Sequence, residues 1–159
     1  MKRQGGFTLI ELVVVIVILG ILAVTAAPRF LNIQDDARIA TLEGLAGAMQ
    51  GAAGIVYGKS AIEGREGLED SSVTMSGTTI NTAYGYPKAT DSDLSAIVTG
   101  LGTGEDFQFI KSYTVVSAAA SSFGIPSYTT NCVQYVQSTS GTVAASVSVV
   151  SGAACTTGN

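Results

Sequence analysis

The chain contains no histidine and no tryptophan, and only 13% of its 159 residues are charged. Without histidine, most zinc sites and most acid–base or nucleophilic triads are excluded. The formal net charge of −4 argues against nucleic acid as a partner, because phosphate binding needs a basic surface. We therefore expect a protein that is not an enzyme and that has no catalytic residues, no metal site and no cofactor.

Cysteine is almost as scarce, with only Cys132 and Cys155 in the whole chain. A zinc site would usually need more ligands, so the pair is interpreted as one disulfide formed in an oxidising compartment. Such a bond would stabilise the fold by roughly 3 kcal/mol through chain entropy. Two free thiols are the alternative.

The feature that the chain does have is a long hydrophobic run, from Phe7 to Ala27. As a helix it would span roughly 31 Å, about one bilayer core. Glu11 lies inside it, although a carboxylate there costs about 2.5–3.5 kcal/mol on insertion scales. A secretory signal peptide would have a shorter run, and cleavage after Ala27 would leave Pro28 as the first residue. A plain membrane anchor fits the length but leaves Glu11 unexplained.

The third interpretation rests on a resemblance. The stretch GGFTLIE, from Gly5 to Glu11, resembles the type IV prepilin signature, with a basic leader, a cleavage glycine, an aromatic first residue and an offset acid. Residues 1–56 are similar to the major pilins of mannose-sensitive haemagglutinin pili. The implied fold class is α+β, the type IV pilin fold, in which a long N-terminal spine helix packs against an antiparallel sheet of three or four strands.

The resemblance also implies a function and a set of partners. A prepilin peptidase/methyltransferase would cleave the leader, residues 1–6, between Gly6 and Phe7 and then methylate Phe7. The subunit would sit in the inner membrane of a Gram-negative bacterium until an assembly platform and its ATPase add it to an extracellular homopolymer, the pilus filament. Adhesion, surface attachment and biofilm formation would follow, with glycans or chitin as surface ligands. The alternative is a pseudopilin or minor pilin of a type II secretion-like machine.

The resemblance also gives Glu11 a role in assembly. Cleavage creates an amine on Phe7, and an unpaired amine or carboxylate is costly in an apolar filament core. Pairing of Glu11 with the Phe7 amine of a neighbouring subunit would remove both penalties and fix the register. Snorkelling of Glu11 to the membrane interface is the alternative.

The hydrophobic helix is expected over residues 7–28 and an amphipathic continuation over 29–58, ended by Gly58. Gly20 and Pro28 weaken a helix by about 1 and 3 kcal/mol, respectively, so we expect the stretch between them to loosen or kink. It melts on assembly, as the resemblance implies, or it kinks only at Pro28.

The amphipathic part has two unlike faces at a spacing of three to four residues. One carries large residues and is expected to pack under the head: Leu42, Leu45, Met49, Ala53 and Val56. The other carries small residues and is expected to meet neighbouring helices, or alternatively this subunit's own sheet: Ala40, Gly44, Gly47, Gly51 and Gly54.

The head, residues 59–159, is predicted to begin with a long connection over 59–89 and a short helix within 91–101 capped by Asp91 or Ser92. Period-two patterns predict strands over 107–116, 133–137 and 143–149. A hairpin turn at 138–141 would place Cys132 and Cys155 nearly opposite each other. Three tyrosines are candidates either for stacking on sugars or for core packing: Tyr84, Tyr86 and Tyr128.

Overall fold

A computed structural model describes residues 6–156, with the backbone alone for residues 27–32. The chain divides into two compact units, residues 1–38 and 39–159. Helix α1 covers Leu9–Ile62 and contributes to both. Its backbone is helical at Gly20 and at Pro28. The melting that we predict for this stretch concerns an assembled filament and stays a prediction.

The end of α1 lies beyond the predicted one. Gly58 does not stop the helix, which continues to Ile62. The helix is ended by Gly64, whose φ of 67° lies in the left-handed region. Its N–H donates to the Ala61 carbonyl at 3.1 Å, and the Arg65 N–H donates to the Ser60 carbonyl at 2.9 Å. This is a Schellman motif, which satisfies the last carbonyls of a helix. Gly58 lacks this positive φ, so the prediction of a helix end there was wrong.

The predicted connection over residues 59–89 is also wrong in part, because residues 71–87 form a three-stranded antiparallel sheet. Its strands are β1 (Ser71–Met75), β2 (Thr78–Ala83) and β3 (Tyr86–Pro87), in the order β1-β2-β3. Two-residue turns, Ser76–Gly77 and Tyr84–Gly85, join them, and all four turn residues have positive φ. Gly85 is required for a second reason, since a Cβ there would lie 2.8 Å from the Tyr57 ring.

The predicted sheet is present and has four antiparallel strands, in the order β4-β5-β6-β7. Its strands are β4 (Gln108–Val115), β5 (Ala118–Gly124), β6 (Asn131–Val136) and β7 (Ser146–Ser151). The sequence patterns located β4, β6 and β7 to within a few residues and missed β5. The stretch 137–145 between β6 and β7 is longer than a tight hairpin turn at 138–141.

Helix α2 (Asp91–Ser95) confirms the predicted short helix, but its cap is Thr90. The Asp93 N–H donates to Thr90 Oγ1 at 3.2 Å, and the Thr90 hydroxyl donates to Asp93 Oδ2 at 2.6 Å. Asp93 Oδ1 accepts from the Asn81 backbone N–H at 2.8 Å, so the buried carboxylate ties α2 to β2.

The large-residue face of α1 is buried, as predicted. Its Leu42, Leu45, Met49 and Ala53 pack in one cluster with Phe123, Val133 and Tyr135 from the four-stranded sheet. Val56 packs with Val73 and Ile80 from the three-stranded sheet. The large-residue face of α1 therefore packs against both sheets, which explains why it is buried all the way from Leu42 to Val56.

Candidate functional site: the N-terminal helix and its exposed faces

Glu11 and Thr8 form a reciprocal hydrogen-bonded pair at the start of α1. The backbone N–H and the hydroxyl of Thr8 donate to Glu11 Oε2 at 2.9 and 2.8 Å, and the Glu11 N–H donates to Thr8 Oγ1 at 3.3 Å. This is a capping box, in which an N-cap threonine and an acid three residues on satisfy each other's free donors. Sequence reasoning missed Thr8, although the Thr-x-x-Glu spacing is a known signal for this arrangement.

The cleavage position predicted at Gly6 and Phe7 lies immediately before this cap. The Phe7 side chain is 85% exposed, and a Cβ at Gly6 would meet nothing within 4 Å. The described backbone here has no regular secondary structure and precedes the helix, so the peptide bond between the two residues is open to an enzyme. The intermolecular pairing of Phe7 with Glu11 stays a prediction.

The segment Leu9–Ala26 of α1 is long and apolar enough to cross a membrane, and none of it is buried within the subunit. Its large aliphatic side chains all face outward, with Leu9, Ile10 and Val24 more than 70% exposed. A water-soluble subunit would not leave such a surface open, because contiguous apolar patches of this size mark membrane or protein contacts. The segment needs lipid or protein around it. A second stretch, Ile33–Ile62, is also long and apolar enough to cross a membrane, but its core-facing residues from Leu42 onward are buried in the head.

The small-residue face of α1 is exposed. A Cβ added at Gly44, Gly47, Gly51 or Gly54 would meet nothing within 4 Å outside the helix. The alternative, that these glycines receive this subunit's own sheet, is therefore wrong. A glycine in an exposed helix interior costs about 1 kcal/mol relative to alanine, so four of them need a reason outside the subunit.

Cys132 and Cys155 form the predicted disulfide, with Cα atoms 5.3 Å apart. The predicted register was wrong, since Cys132 pairs with Val150 across β6 and β7. A short 3-10 helix, Gly152–Cys155, follows β7 and brings Cys155 back to β6. The Lys111 ammonium of β4 donates to the Ala153 carbonyl in this turn. The disulfide thus anchors the end of the described chain on the sheet.

The three candidate tyrosines divide between the two interpretations. Tyr128 is buried in the core cluster, and Tyr86 stacks on Tyr57 with ring centroids 4.6 Å apart. Both therefore serve packing. Tyr84 lines an open cleft together with Glu69, Ser117, Gln137 and Thr139, and its stacking on sugars stays a prediction. Among the described residues, no three His, Cys, Asp or Glu side chains cluster in a way that would hold a metal ion.

Two comparisons with known proteins gave matches. Residues 1–27 match the model of the prokaryotic N-terminal methylation motif. The chain is 50% identical, over 50 residues, to the major component of the type IV narrow pilus of Thermus thermophilus; the match covers 31% of this chain and 43% of that protein. It is 46% identical, over 43 residues, to the type II secretion system core protein G of Pseudomonas aeruginosa; that match covers 27% of this chain and 30% of the relative.

The matched stretches thus span less than half of either relative. No solved structure matches the chain. The motif and the two relatives support the type IV pilin family, which includes pilus subunits and pseudopilins, and the long helix with its antiparallel sheets fits the type IV pilin fold.

Proposed function

We propose that this chain is the major structural subunit of a type IV pilus and that it polymerises through its N-terminal helix. One observation carries the proposal: α1 exposes an apolar segment, Leu9–Ala26, and further along a face of small residues that nothing in the subunit covers. Small residues let helix backbones approach closely. A helix with both surfaces is suited to lie in lipid first and among copies of itself later.

The processing steps follow from the motif at residues 1–27. Cleavage after Gly6 and methylation of Phe7 by a prepilin peptidase/methyltransferase would free the helix from its leader. Lys2 and Arg3 would keep the leader on the cytoplasmic side of the inner membrane. An assembly platform and its ATPase would then extract the subunit into an extracellular filament. We propose no enzymatic activity for the chain itself.

A finer assignment places the chain among the major pilins of mannose-sensitive haemagglutinin pili of Gram-negative bacteria. The support is the similarity of residues 1–56 noted above. Adhesion, biofilm formation and binding to surface glycans or chitin belong to this finer proposal. The second candidate function, a pseudopilin of a type II secretion machine, is supported by the match to core protein G.

Shearing of surface filaments from cells that express the chain separates the two functions. A major pilin should dominate the sheared material, and mass spectrometry should find a mature N-terminus at methylated Phe7. If the processed chain stays in the cell envelope and no filaments carry it, the pseudopilin function is correct instead.

The substitution Gly47→Leu tests the assembly face. Leucine favours the helix over glycine by nearly 1 kcal/mol and has open space at this position, so the subunit should unfold at the same or a higher temperature. Filament yield should nevertheless collapse. Ala48→Leu, which adds a large side chain on an exposed flank of α1, is the matched control and should assemble.

A further inference from the structure

The turn between β4 and β5 presents an apolar side chain at its tip. Val115 pairs with Ala118, which leaves Val116 and Ser117 as a two-residue loop. Val116 is 96% exposed, the highest value among the described large apolar residues. Its φ is 45°, and that of Ser117 is 70°. A β-branched residue with positive φ is an outlier, so valine here is unfavourable both for the backbone and for solvation.

The other two-residue turns of the head show the usual solution. Ser76–Gly77 and Tyr84–Gly85 each have a glycine at the second position, which accepts positive φ without strain. The β4–β5 turn has no glycine, and nothing within the subunit buries Val116. Strain held at an exposed position is a reason to look for a function.

A cleft that could receive an apolar side chain lies elsewhere on the head. It has a volume of about 220 Å³ and lies between α1, the β1–β2 turn and the end of α2. Buried Val56 and Ile80 line it. Ile97 and Ile55, which is 64% exposed, line it as well. Ser76 and Thr78 add hydroxyls that match a polar turn backbone.

The valine and the cleft lie at opposite ends of the β1–β2 hairpin. The cleft contains the turn end of the hairpin, Met75–Thr78. Ser117 lines the open cleft formed with Ala83 and Tyr84, at the other end. Five residues of strand separate these ends by about 17 Å, so Val116 cannot enter the cleft of its own subunit. A second copy of the chain can bring the two together.

We propose that the Val116–Ser117 turn of one subunit inserts into the Ile55–Ile97 cleft of the next, a head-to-tail contact that repeats along the filament. This rests on the proposed pilus function. Two different patches at opposite ends of one body form a heterologous interface, which generates open filaments when the rotation does not close. The cleft also adjoins the small-residue face, because Ile55 directly follows Gly54 and lies one turn beyond Gly51. The contact therefore continues the proposed assembly surface.

The size of the contact defines its role. One valine and a turn bury far less than the roughly 1,200 Å² of a stable interface. The contact alone would not hold two subunits together. It acts only where the N-terminal helices already hold neighbouring subunits in place. It would fix the rotation of one head on the next.

Cross-linking in assembled filaments tests the contact. The paired substitution Val116→Cys and Ile55→Cys should give a ladder of linked multimers with a short thiol-specific bismaleimide. The native cysteines will not react, because both are in the disulfide. Filaments mixed from the two single variants should give dimers only, which excludes a link within one chain. Val116→Cys paired with Ile62→Cys, on the same helix but outside the cleft, should give no ladder.

A second variant separates the contact from folding. Asn tolerates positive φ, so Val116→Asn should raise the melting temperature of the subunit by roughly 2–8 °C. The same change should lower the temperature at which sheared filaments dissociate. Val143→Asn, at a half-exposed valine in the 137–145 loop, should leave the filaments unchanged.

The outcomes separate the two proposals. Filaments that form from the paired variant without the ladder, or filaments of Val116→Asn that dissociate like the parent, overturn the head-to-tail contact alone. A parent chain that forms no filaments contradicts both the contact and the pilus function.

Discussion

The hydroxyl of Tyr135 donates to the backbone carbonyl of Pro87 at 2.7 Å, and both residues are buried. The bond links β6 of the four-stranded sheet to β3 of the three-stranded sheet. Two further bonds cross near it: Ser121 Oγ donates to the Ala89 carbonyl, and the Ala89 N–H donates to Gln137 Oε1. The two sheets are therefore joined by hydrogen bonds as well as by their shared helix face, and burial raises the pKa of Tyr135 so that its donor proton is kept.

Tyr135→Phe should destabilise the head by about 1–3 kcal/mol, because the Pro87 carbonyl would stay buried without its donor. The ring and its packing are retained. The measurement is thermal unfolding of the full chain in detergent, followed by near-ultraviolet circular dichroism. An unchanged melting temperature would show that water replaces the hydroxyl and that the sheets are joined by packing alone.

Asp93→Asn should also destabilise the head by about 1–3 kcal/mol. The carboxylate accepts from both the backbone of Asn81 and the hydroxyl of Thr90, and the neutral amide of asparagine would remove the charge that strengthens these bonds. Asp91→Asn is the matched control, since Asp91 lies exposed two residues earlier. Equal melting temperatures for the two variants would contradict a special role for Asp93.

Glu63 should make stability depend on pH. The hydrogen bond from Lys59, with Nζ 2.8 Å from Oε1, lowers the pKa of Glu63 in the folded chain. A lowered folded pKa stabilises the fold above the unfolded value, near 4.3, and this contribution is lost as the pH falls through the folded pKa. The melting temperatures of the parent and of Glu63→Gln should therefore differ at pH 7 and converge as the pH falls through the folded pKa. High salt should shrink the difference at pH 7, and curves that stay parallel throughout acid titration would refute the linkage.

The elements that could be predicted from the sequence are those whose apolar side chains recur at a regular spacing. The buried stripe from Leu42 to Val56 and strands β4 and β6 have clear spacing of apolar side chains. Strand β5 has none, because its Ala-Ala-Ala-Ser-Ser run lies in the middle of the sheet and is almost wholly buried. Its strand conformation is set by pairing with the neighbouring strands on both sides, and the local sequence gives no sign of that pairing.

The three-stranded sheet was missed for a different reason. The short β1 and β2 are rich in Ser and Thr, and their two-residue turns have serine or tyrosine before the glycine. The usual hairpin signal has asparagine or aspartate there. The exposed face of α1 was predicted from glycine spacing alone, yet its exposure could be decided only after the sheets were placed on the opposite face.

The carboxylate of Glu11 can fill two roles, one within the subunit and one in a filament. In the subunit, Glu11 completes the capping box with Thr8. In a filament, we expect it to pair with the Phe7 amine of a neighbour, and breaking one partner of a buried pair costs about 3–5 kcal/mol. Glutamine supports a capping box as glutamate does, but it carries no charge. Glu11→Gln therefore preserves the cap and removes the ion pair, whereas Thr8→Ala weakens the cap and leaves the charge.

If register depends on charge pairing, Glu11→Gln and Glu11→Val should both be cleaved and inserted normally and yet yield few or no filaments by electron microscopy. Thr8→Ala should be cleaved and should still assemble, with at most a frayed first turn of α1. The reverse pattern, filaments from Glu11→Gln and none from Thr8→Ala, would mean that the acid is retained in the apolar run to start the helix. Western blotting of the leader-bearing and mature chains controls for processing in every variant, so a loss of filaments reports on assembly itself.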